Sequence, residues 1–394
     1  MPTTRHIAID MGAESGRVIL GTIEGGRIAL EVIHRFPSVN ALAEGHLRWD
    51  LQRIFGEICT GLELVGKRGV AVASIGVDTW GVDYGLVADG SLVEGAICYR
   101  DGRTADEVER VHAKVGGAEA IFARTGVASL VFNTSFQLAA HQRQRPESLA
   151  RAQGMLFIPD LIHHWLGGEA VNEWSIAGTA QLCRAGRPEW DAQLIATLGL
   201  PPHLFGRIVK PGTRTGQLKP ELAARFGFAV PPAIVVPASH DTAAAVGASP
   251  GDPNTTIYLS SGTWSLLGCV ADLPLTSPEA LKAGWGNETS ADGRTRINRN
   301  IMGLWLLQET RRAFEAQGKN YSYQQMADMA AAKPASAVAL DVNDARFLAA
   351  TGGGAAPMPE RVAAWCRERG HAAPADDAAL VRFIVDGLAA TYGR

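Results

Sequence analysis

Five short stretches of the chain bring acids, hydroxyls and glycines together at spacings that chemistry can use. The first is Asp10-Met11-Gly12-Ala13-Glu14-Ser15-Gly16-Arg17. An acid closes an apolar run and a turn of small residues follows. Such a turn exposes backbone N–H groups that can cradle phosphate oxygens. Asp10 suits Mg²⁺, an ion that keeps several waters and takes few carboxylates. An ordinary β-turn with a surface acid fits the same spacing. Ser260-Ser261-Gly262-Thr263 lies between two β-rich runs. It suits a second phosphate clamp, although taken alone its composition favours a plain hairpin turn. Ser239-His240-Asp241-Thr242 follows apolar PAIVVPA and precedes the helix-forming run AAAV. Asp241 therefore stands at a strand end and a helix start, where the helix dipole favours the ionised carboxylate. A carboxylate so placed can orient a hydroxyl and accept its proton during phosphoryl transfer. A simple N-cap role is the alternative. A Ser-His-Asp triad is a poor reading, since neighbours on a strand point to opposite faces.

In Asp78-Thr79-Trp80-Gly81-Val82-Asp83, two acids flank an aromatic and a glycine. That grouping suits a sugar face and its hydroxyls, and it also suits a buried Trp beside a turn. Arg100-Asp101-Gly102-Arg103 reads as a hydroxyl-binding or closure element, or as a structural ion-pair turn. Asn300 precedes a predicted helix and can donate to a ligand or cap that helix. His163-His164 has no second ligand pair at metal spacing and reads as packing and surface.

The elements that must carry these residues follow from hydrophobic period. HIAID (6–10) reads as a buried strand, and RVILGTI (17–23) with RIALEVI (27–33) reads as a hairpin across Glu24-Gly25-Gly26. Asp50 can cap a helix whose Leu51, Ile54, Phe55, Ile58, Leu62 and Val65 form a 3.6-residue stripe. VAVASIGV (70–77) is a further strand that ends at Asp78. TIYLS (256–260) and WSLLGCV (264–270) make a second hairpin, 301–317 reads as a helix, and ARFLA (345–349) as strand-like. Alternating strands and helices predict an α/β class. The Pro250-Gly251-Asp252-Pro253 breaker cluster places a domain boundary at 248/249.

At roughly 150 residues per domain, 394 residues predict two or three domains. The charge sum is 37 − 40 = −3, which offers nothing to a nucleic-acid partner. Cys59, Cys98, Cys183, Cys269 and Cys366 are scattered and odd in number, against a disulfide framework or a structural zinc site. No apolar run is long enough for a membrane span, and the start MPTTRHIAIDMG has no signal core, so the expected location is the cytoplasm.

Taken together, AIDMGAESGRV (8–18), IGVDTWGVDYGL (75–86), YRDGRT (99–104), FNTSFQL (132–138), PASHDTAAAV (237–246), YLSSGTWSLLG (258–268) and NIMGLWLLQE (300–309) resemble the FGGY carbohydrate kinase family. DTWGVD, SHDT, SSGTWSL and NIMGLWLLQ resemble the members that act on L-rhamnulose. The resemblance implies an actin-like, RNase H-like ATPase fold of two domains around a central cleft. It assigns 1–248 to a sugar- and phosphate-binding domain and 249–394 to a nucleotide-binding domain. It implies transfer of the ATP γ-phosphate to the 1-hydroxyl of L-rhamnulose in L-rhamnose breakdown, with Mg²⁺ as cofactor. Residue by residue, Asp241 matches the catalytic base. Gly81, His240, Asp241, Thr242 and Asn300 match sugar-binding positions, Ala13, Glu14, Ser15, Gly16, Arg17, Thr263 and Gln308 match ATP-binding positions, and Asp10 matches the acid near Mg²⁺. Glu14 stands where several relatives have a small hydroxyl residue, so a backbone role is expected there.

Family members continue past the helix of Phe383, Leu388 and Tyr392 into a strand and a glycine-rich adenosine turn. The given sequence ends at Arg394, which gives the expectation of a shortened second domain. Gly352-Gly353-Gly354 precedes the last helix and is not expected to replace that turn. The rival readings are another FGGY ketose or polyol kinase, acting on L-fuculose or D-xylulose, and a sugar-binding fragment impaired in catalysis.

Overall fold

A computed structural model describes residues 2–351 and 354–394. Gly352 and Gly353 of the glycine run lie outside the described residues. By packing, the chain forms two compact units. One comprises the residues up to Thr256 together with Cys269–Ile297, and the other comprises Ile257–Gly268 and Asn298–Arg394. The division thus differs from a single cut at 248/249: the segment 269–297 folds with the N-terminal part.

The first unit is organised by a six-stranded sheet. Strands β1 (Thr4–Met11), β2 (Ser15–Glu24) and β3 (Arg27–Pro37) form an antiparallel meander. The β2–β3 turn uses Gly25 and Gly26, both at positive φ (55° and 78°). Two left-handed central residues are what a two-residue hairpin needs to match strand twist. A short hairpin, β4 (Asn40–Ala43) and β5 (His46–Trp49), leads to helix α1 (Leu51–Gly66), capped as expected by Asp50 accepting from Arg53 N. Strand β6 (Ser74–Thr79) then inserts parallel to β1. The strand Ala233–Val235 runs parallel on its far side, and Arg214–Gln217 closes the edge. Inward residues at a period of two (Ile7, Ile9, Met11; Val18, Leu20; Ile75, Val77) meet the α1 stripe Ile54, Ile58 and Leu62, all buried.

Three expectations are corrected. The strand predicted at 70–77 begins only at Ser74. The helix predicted at 301–317 starts at Trp305, because Ile301 and Met302 end a strand, Thr295–Met302, that pairs in a second sheet. ARFLA is a 3₁₀ turn over Ala345–Phe347, started by the Asp344 side chain accepting from Arg346 N. The second unit's core is helical: Trp305, Leu306 and Phe314 pack with Val362 and Trp365 of helix Met358–Glu368 and with Val381 and Ile384 of helix Asp377–Tyr392.

A nearly buried carboxylate ties the first unit's loops. Glu94 lies 3.3 Å from Arg48, 2.8 Å from Arg145 and 2.5 Å from His141. Burial pushes its carboxyl up, but the His141 hydrogen bond and the charges of His141, Arg145 and Arg48 outweigh this and hold it at about 2, against 4.5 unperturbed. A depressed acid contributes stability above its unfolded pKa and loses it as pH falls. Glu94→Gln is therefore expected to cost roughly 2–3 kcal/mol at neutral pH. The gap to the parent should close as pH drops from about 4.5 toward 2, measured by urea unfolding across that range.

Candidate active site

Strand register builds one charged row at the end of the first unit's sheet. Asp78 on β6 pairs with Asp10 on β1, Asp10 with Arg17 on β2, and Arg17 with Arg35 on β3. Partners in register share a face, so two carboxylates and two guanidiniums stand side by side. Arg17 Nε lies 3.4 Å from Asp10 Oδ2. Burial raises the Asp10 pKa, Arg17 lowers it, Asp241 raises it and Arg35 lowers it. Asp78 is pushed well above the usual carboxylate range by burial and by the charges of Asp10 and Asp241. Asp10, Asp78 and Asp241 therefore form one electrostatic group. Among the described residues no cluster of three or more His, Cys, Asp or Glu side chains has the arrangement of a metal cage.

The turn after Asp10 is fixed by Gly12 N donating to Ser15 O (3.1 Å), Ser38 Oγ donating to Gly12 O (2.7 Å) and Ser38 N donating to Glu14 O (3.0 Å). Ser15, Gly16 and Arg17 already belong to β2. A Cβ on Gly16 would sit 2.5 Å from the Phe36 ring, so that glycine is demanded by packing.

His240 and Asp241 are held at the mouth of the same sheet. Thr79 N donates to Ser239 O (2.9 Å), and Thr79 bridges His240 in parallel, so the DTWGVD and SHDT segments are stitched together. Asp241 is the first residue of helix Asp241–Gly247; the cap position belongs to His240. The simple N-cap reading of Asp241 is thus set aside. Its Oδ1 accepts from Thr242 N and from Thr242 Oγ1 (3.0 Å). His240 Nε2 lies 3.5 Å from Asp241 Oδ1, while its Nδ1 lies 3.0 Å from the Arg296 guanidinium and 3.2 Å from Glu288. Arg296 is fully buried and pairs with Glu288 at 2.5 Å. Glu288 and Arg296 were not among the candidates from sequence. They lie on strands Gly286–Thr289 and Thr295–Met302, whose sequences GNET and TRINRNIM carry no alternating apolar pattern.

The DTWGVD segment turns out to be a clamp. Trp80 is buried and packs against Trp49 (centroids 4.2 Å apart, planes tilted by 34°), so the ring is already covered. Asp83 is buried and accepts from Trp49 Nε1 (2.6 Å), Trp80 Nε1 (3.1 Å), Tyr99 N (3.1 Å) and Gln137 Nε2 (3.2 Å). The buried-Trp reading holds for these side chains, and Gly81 is the half-buried position of the loop. Asp101 accepts from Leu47 N and Arg103 N, and Arg103 donates to Gln137 Oε1 (2.7 Å), which makes RDGR a structural turn. His163 Nε2 accepts from Val77 N (2.9 Å) inside the core, as the packing reading expects.

In the second unit, Gly262 and Thr263 form the turn between strands Ile257–Ser261 and Trp264–Ala271. Leu304 N donates to Gly262 O (2.8 Å) and Trp305 N to Thr263 O (3.1 Å). Gln308 Nε2 donates to Thr263 Oγ1 (3.1 Å), so the two expected ATP positions of this unit do meet. A Cβ on Gly303 would lie 2.6 Å from Gly262 O, the close approach that ties helix to turn. Asn300 sits in strand Thr295–Met302, not before a helix, which removes the capping role; Leu304 occupies the cap.

Two family profiles match the chain. The N-terminal domain of the FGGY family of carbohydrate kinases covers residues 6–247, and the C-terminal domain of that family covers residues 257–393. The chain belongs to the FGGY carbohydrate kinases. Its fold is the family's two-domain, actin-like ATPase fold with mixed α/β content. A rhamnulokinase of Klebsiella pneumoniae subsp. pneumoniae is 41% identical over 99% of this chain and 78% of its own length. One from Enterococcus faecalis is 38% identical over 98% of this chain and 76% of its own. Among solved structures, xylulose kinase from Rhodospirillum rubrum superposes with a TM-score of 0.74 at 18% identity, covering 99% of this chain and 77% of that one.

Proposed function

We propose that this kinase transfers the γ-phosphate of ATP to the 1-hydroxyl of L-rhamnulose, giving L-rhamnulose 1-phosphate and ADP as a step of L-rhamnose breakdown. The observation that carries the reading is the stitching of Thr79 to Ser239 and His240, which joins the segment bearing the partly exposed Asp241 carboxylate to the strand end from which the Gly81 loop leaves. The choice of sugar rests on the rhamnulokinases at 38% and 41% identity.

Asp241 acts as the base. Thr242 engages its Oδ1, so Oδ2 serves the sugar hydroxyl, orients it in line and takes its proton as phosphoryl transfer proceeds. Gly81, His240, Thr242 and Asn300 hold the sugar. Ala13, Glu14, Ser15, Gly16 and Arg17, with Thr263 and Gln308, hold ATP, Glu14 through its backbone. The functional division remains 1–248 for sugar and phosphate and 249–394 for nucleotide. The donor set also fits Mg²⁺: Asp10 is a partly exposed carboxylate beside two others, and magnesium asks a protein for only one or two. Asp10 would hold the ion, which when bound neutralises charge on the phosphates. We propose the cytoplasm as the location of the reaction. Among the described residues no helix is long and apolar enough to cross a membrane.

A panel of ketoses with ATP tests the assignment. The highest kcat/KM is expected with L-rhamnulose, and a preference for L-fuculose or D-xylulose overturns it. Calorimetric sugar binding with no turnover on any sugar would leave a binding module instead.

A further inference from the structure

Behind the His240–Asp241 corner lies a buried polar chain that the reaction as described does not use. It starts at Asp160, whose Oδ1 accepts from Glu173 N (3.2 Å). Glu173 ends the short strand Asn172–Glu173 and caps the one-turn helix Trp174–Ala177, accepting from Ser175 N (2.7 Å) and Ile176 N (3.2 Å). Two further donors reach the same carboxylate: Ser175 Oγ (2.6 Å) and, from the other segment, Ser239 N (3.0 Å). Ser175 Oγ in turn accepts from His240 N (3.2 Å). Glu173, Ser175 and Ser239 are each 0% exposed.

On the opposite side, Ser239 O accepts from Thr79 N. The two residues before Asp241 are therefore gripped from both sides, by β6 through Thr79 and by the 172–177 segment through Glu173 and Ser175. A cap alone would need only the two amides of its own helix. The bonds to Ser239 N and His240 N go beyond capping, and both fall on the backbone that carries the base.

We propose that Glu173 and Ser175 are positioning residues for Asp241: through Ser239 N and His240 N they set the backbone that aims its carboxylate at the sugar hydroxyl. This rests on the reading of Asp241 as the base. The carboxyl group suits the task because its two oxygens accept all four of these donors at once; burial raises its pKa, while the bonds from Ser175, Ser239 N and Ile176 N pull it back toward the ionised form, to which hydrogen bonds are strongest. Burial keeps water from competing for the two amides.

The test uses the full chain and kinetics with L-rhamnulose and ATP. Ser175→Ala removes the acceptor for His240 N and leaves the Glu173–Ser239 bond. A displacement of about 1 Å at a reacting group can cost 10²-fold. The expected result is a fall in kcat of roughly 10- to 100-fold per folded molecule, with KM for ATP within about twofold of the parent. Ser175→Thr, which keeps the hydroxyl, should recover most of kcat. Because the two residues hold adjacent amides of one backbone and bond to each other, the kcat loss of Glu173→Gln/Ser175→Ala should fall short of the product of the two single losses.

A folded Ser175→Ala with parental kcat overturns the proposal. So does a rate loss that merely tracks the folded fraction, or a folded Ser175→Thr as slow as the alanine variant. Where alanine does not fold, Ser175→Cys is measured in its place, being of similar volume but a weaker acceptor. Asp241→Asn is run alongside. An inactive asparagine variant beside a fully active Ser175→Ala sinks only the positioning role, whereas an active asparagine variant sinks the base assignment itself.

Discussion

Asp241→Asn is expected to lower kcat by about 10²- to 10⁴-fold while leaving calorimetric sugar binding within a few-fold of the parent. The substitution keeps shape and one acceptor, so the bonds from Thr242 N and Oγ1 to Oδ1 can persist. What it removes is the oxygen that accepts a proton. It also removes one negative charge from the group formed with Asp10 and Asp78, each of which Asp241 pushes upward. Relief of like-charge repulsion should leave thermal stability equal to or above the parent's. Loss of turnover with undiminished stability is therefore the signature of a base, and loss of both would point to a structural acid. Unchanged kcat would remove Asp241 from the chemistry.

Much of this was legible in sequence because it is local. The Gly25-Gly26 hairpin, the Asp50 cap and the apolar stripe of α1 each depend on residues within one element. So does the placement of Asp241 at a helix start. The errors arose where a partner distant in the chain decided the outcome. Ile301 and Met302 have the period of a helix, yet they pair as strand, and the close approach of Gly303 to the 262–265 turn delays the helix until Trp305.

The site divides along the same line. Motifs marked Asp10, His240 and Asp241, but the row Asp78–Asp10–Arg17–Arg35 exists only through register across four strands. Glu173 and Arg296, buried and charged, gave no signal of their own. A charge is tolerated inside only when partners surround it, and those partners lie as far as 66 residues away. Trp80 shows the converse: its type suggested a sugar platform, while its neighbour Trp49 already covers the ring.

Asp83→Ala should be the most destabilising single change in the sugar segment, by about 3–5 kcal/mol in urea unfolding of the full chain. The deletion leaves Trp49 Nε1, Trp80 Nε1, Tyr99 N and Gln137 Nε2 without their shared acceptor and removes the carboxylate whose charge is complemented by Arg103. Each buried donor left unsatisfied costs roughly 1–3 kcal/mol, though the four do not add fully. The neighbouring residue raises the stakes. Val82 holds φ at 66°, a left-handed conformation that a β-branched side chain resists. It is kept there by Val82 N donating to Thr179 Oγ1 (3.0 Å) and by its carbonyl accepting from Thr134 Oγ1 (2.7 Å) and Gln137 Nε2 (3.3 Å). Gln137 is thus shared between Asp83 and Val82, and freeing it on one side loosens the other. Val82 should then relax and carry Gly81 away from Asp241, so sugar KM should rise as well. The pH dependence gives an independent reading. Burial pushes Asp83 up to about 6, against the pull of the Trp49 bond, Arg103, the Trp80 bond and Tyr99 N. An acid with a raised pKa contributes stability that is full below its unfolded value of about 3.8 and is lost as pH climbs through about 6. Asp83→Asn, which cannot titrate, should therefore flatten the decline in stability between about pH 4 and 6 while costing less than alanine. An alanine variant within about 1 kcal/mol of the parent would mean that the four donors find other acceptors, and that Asp83 is not what holds the sugar loop in its strained form.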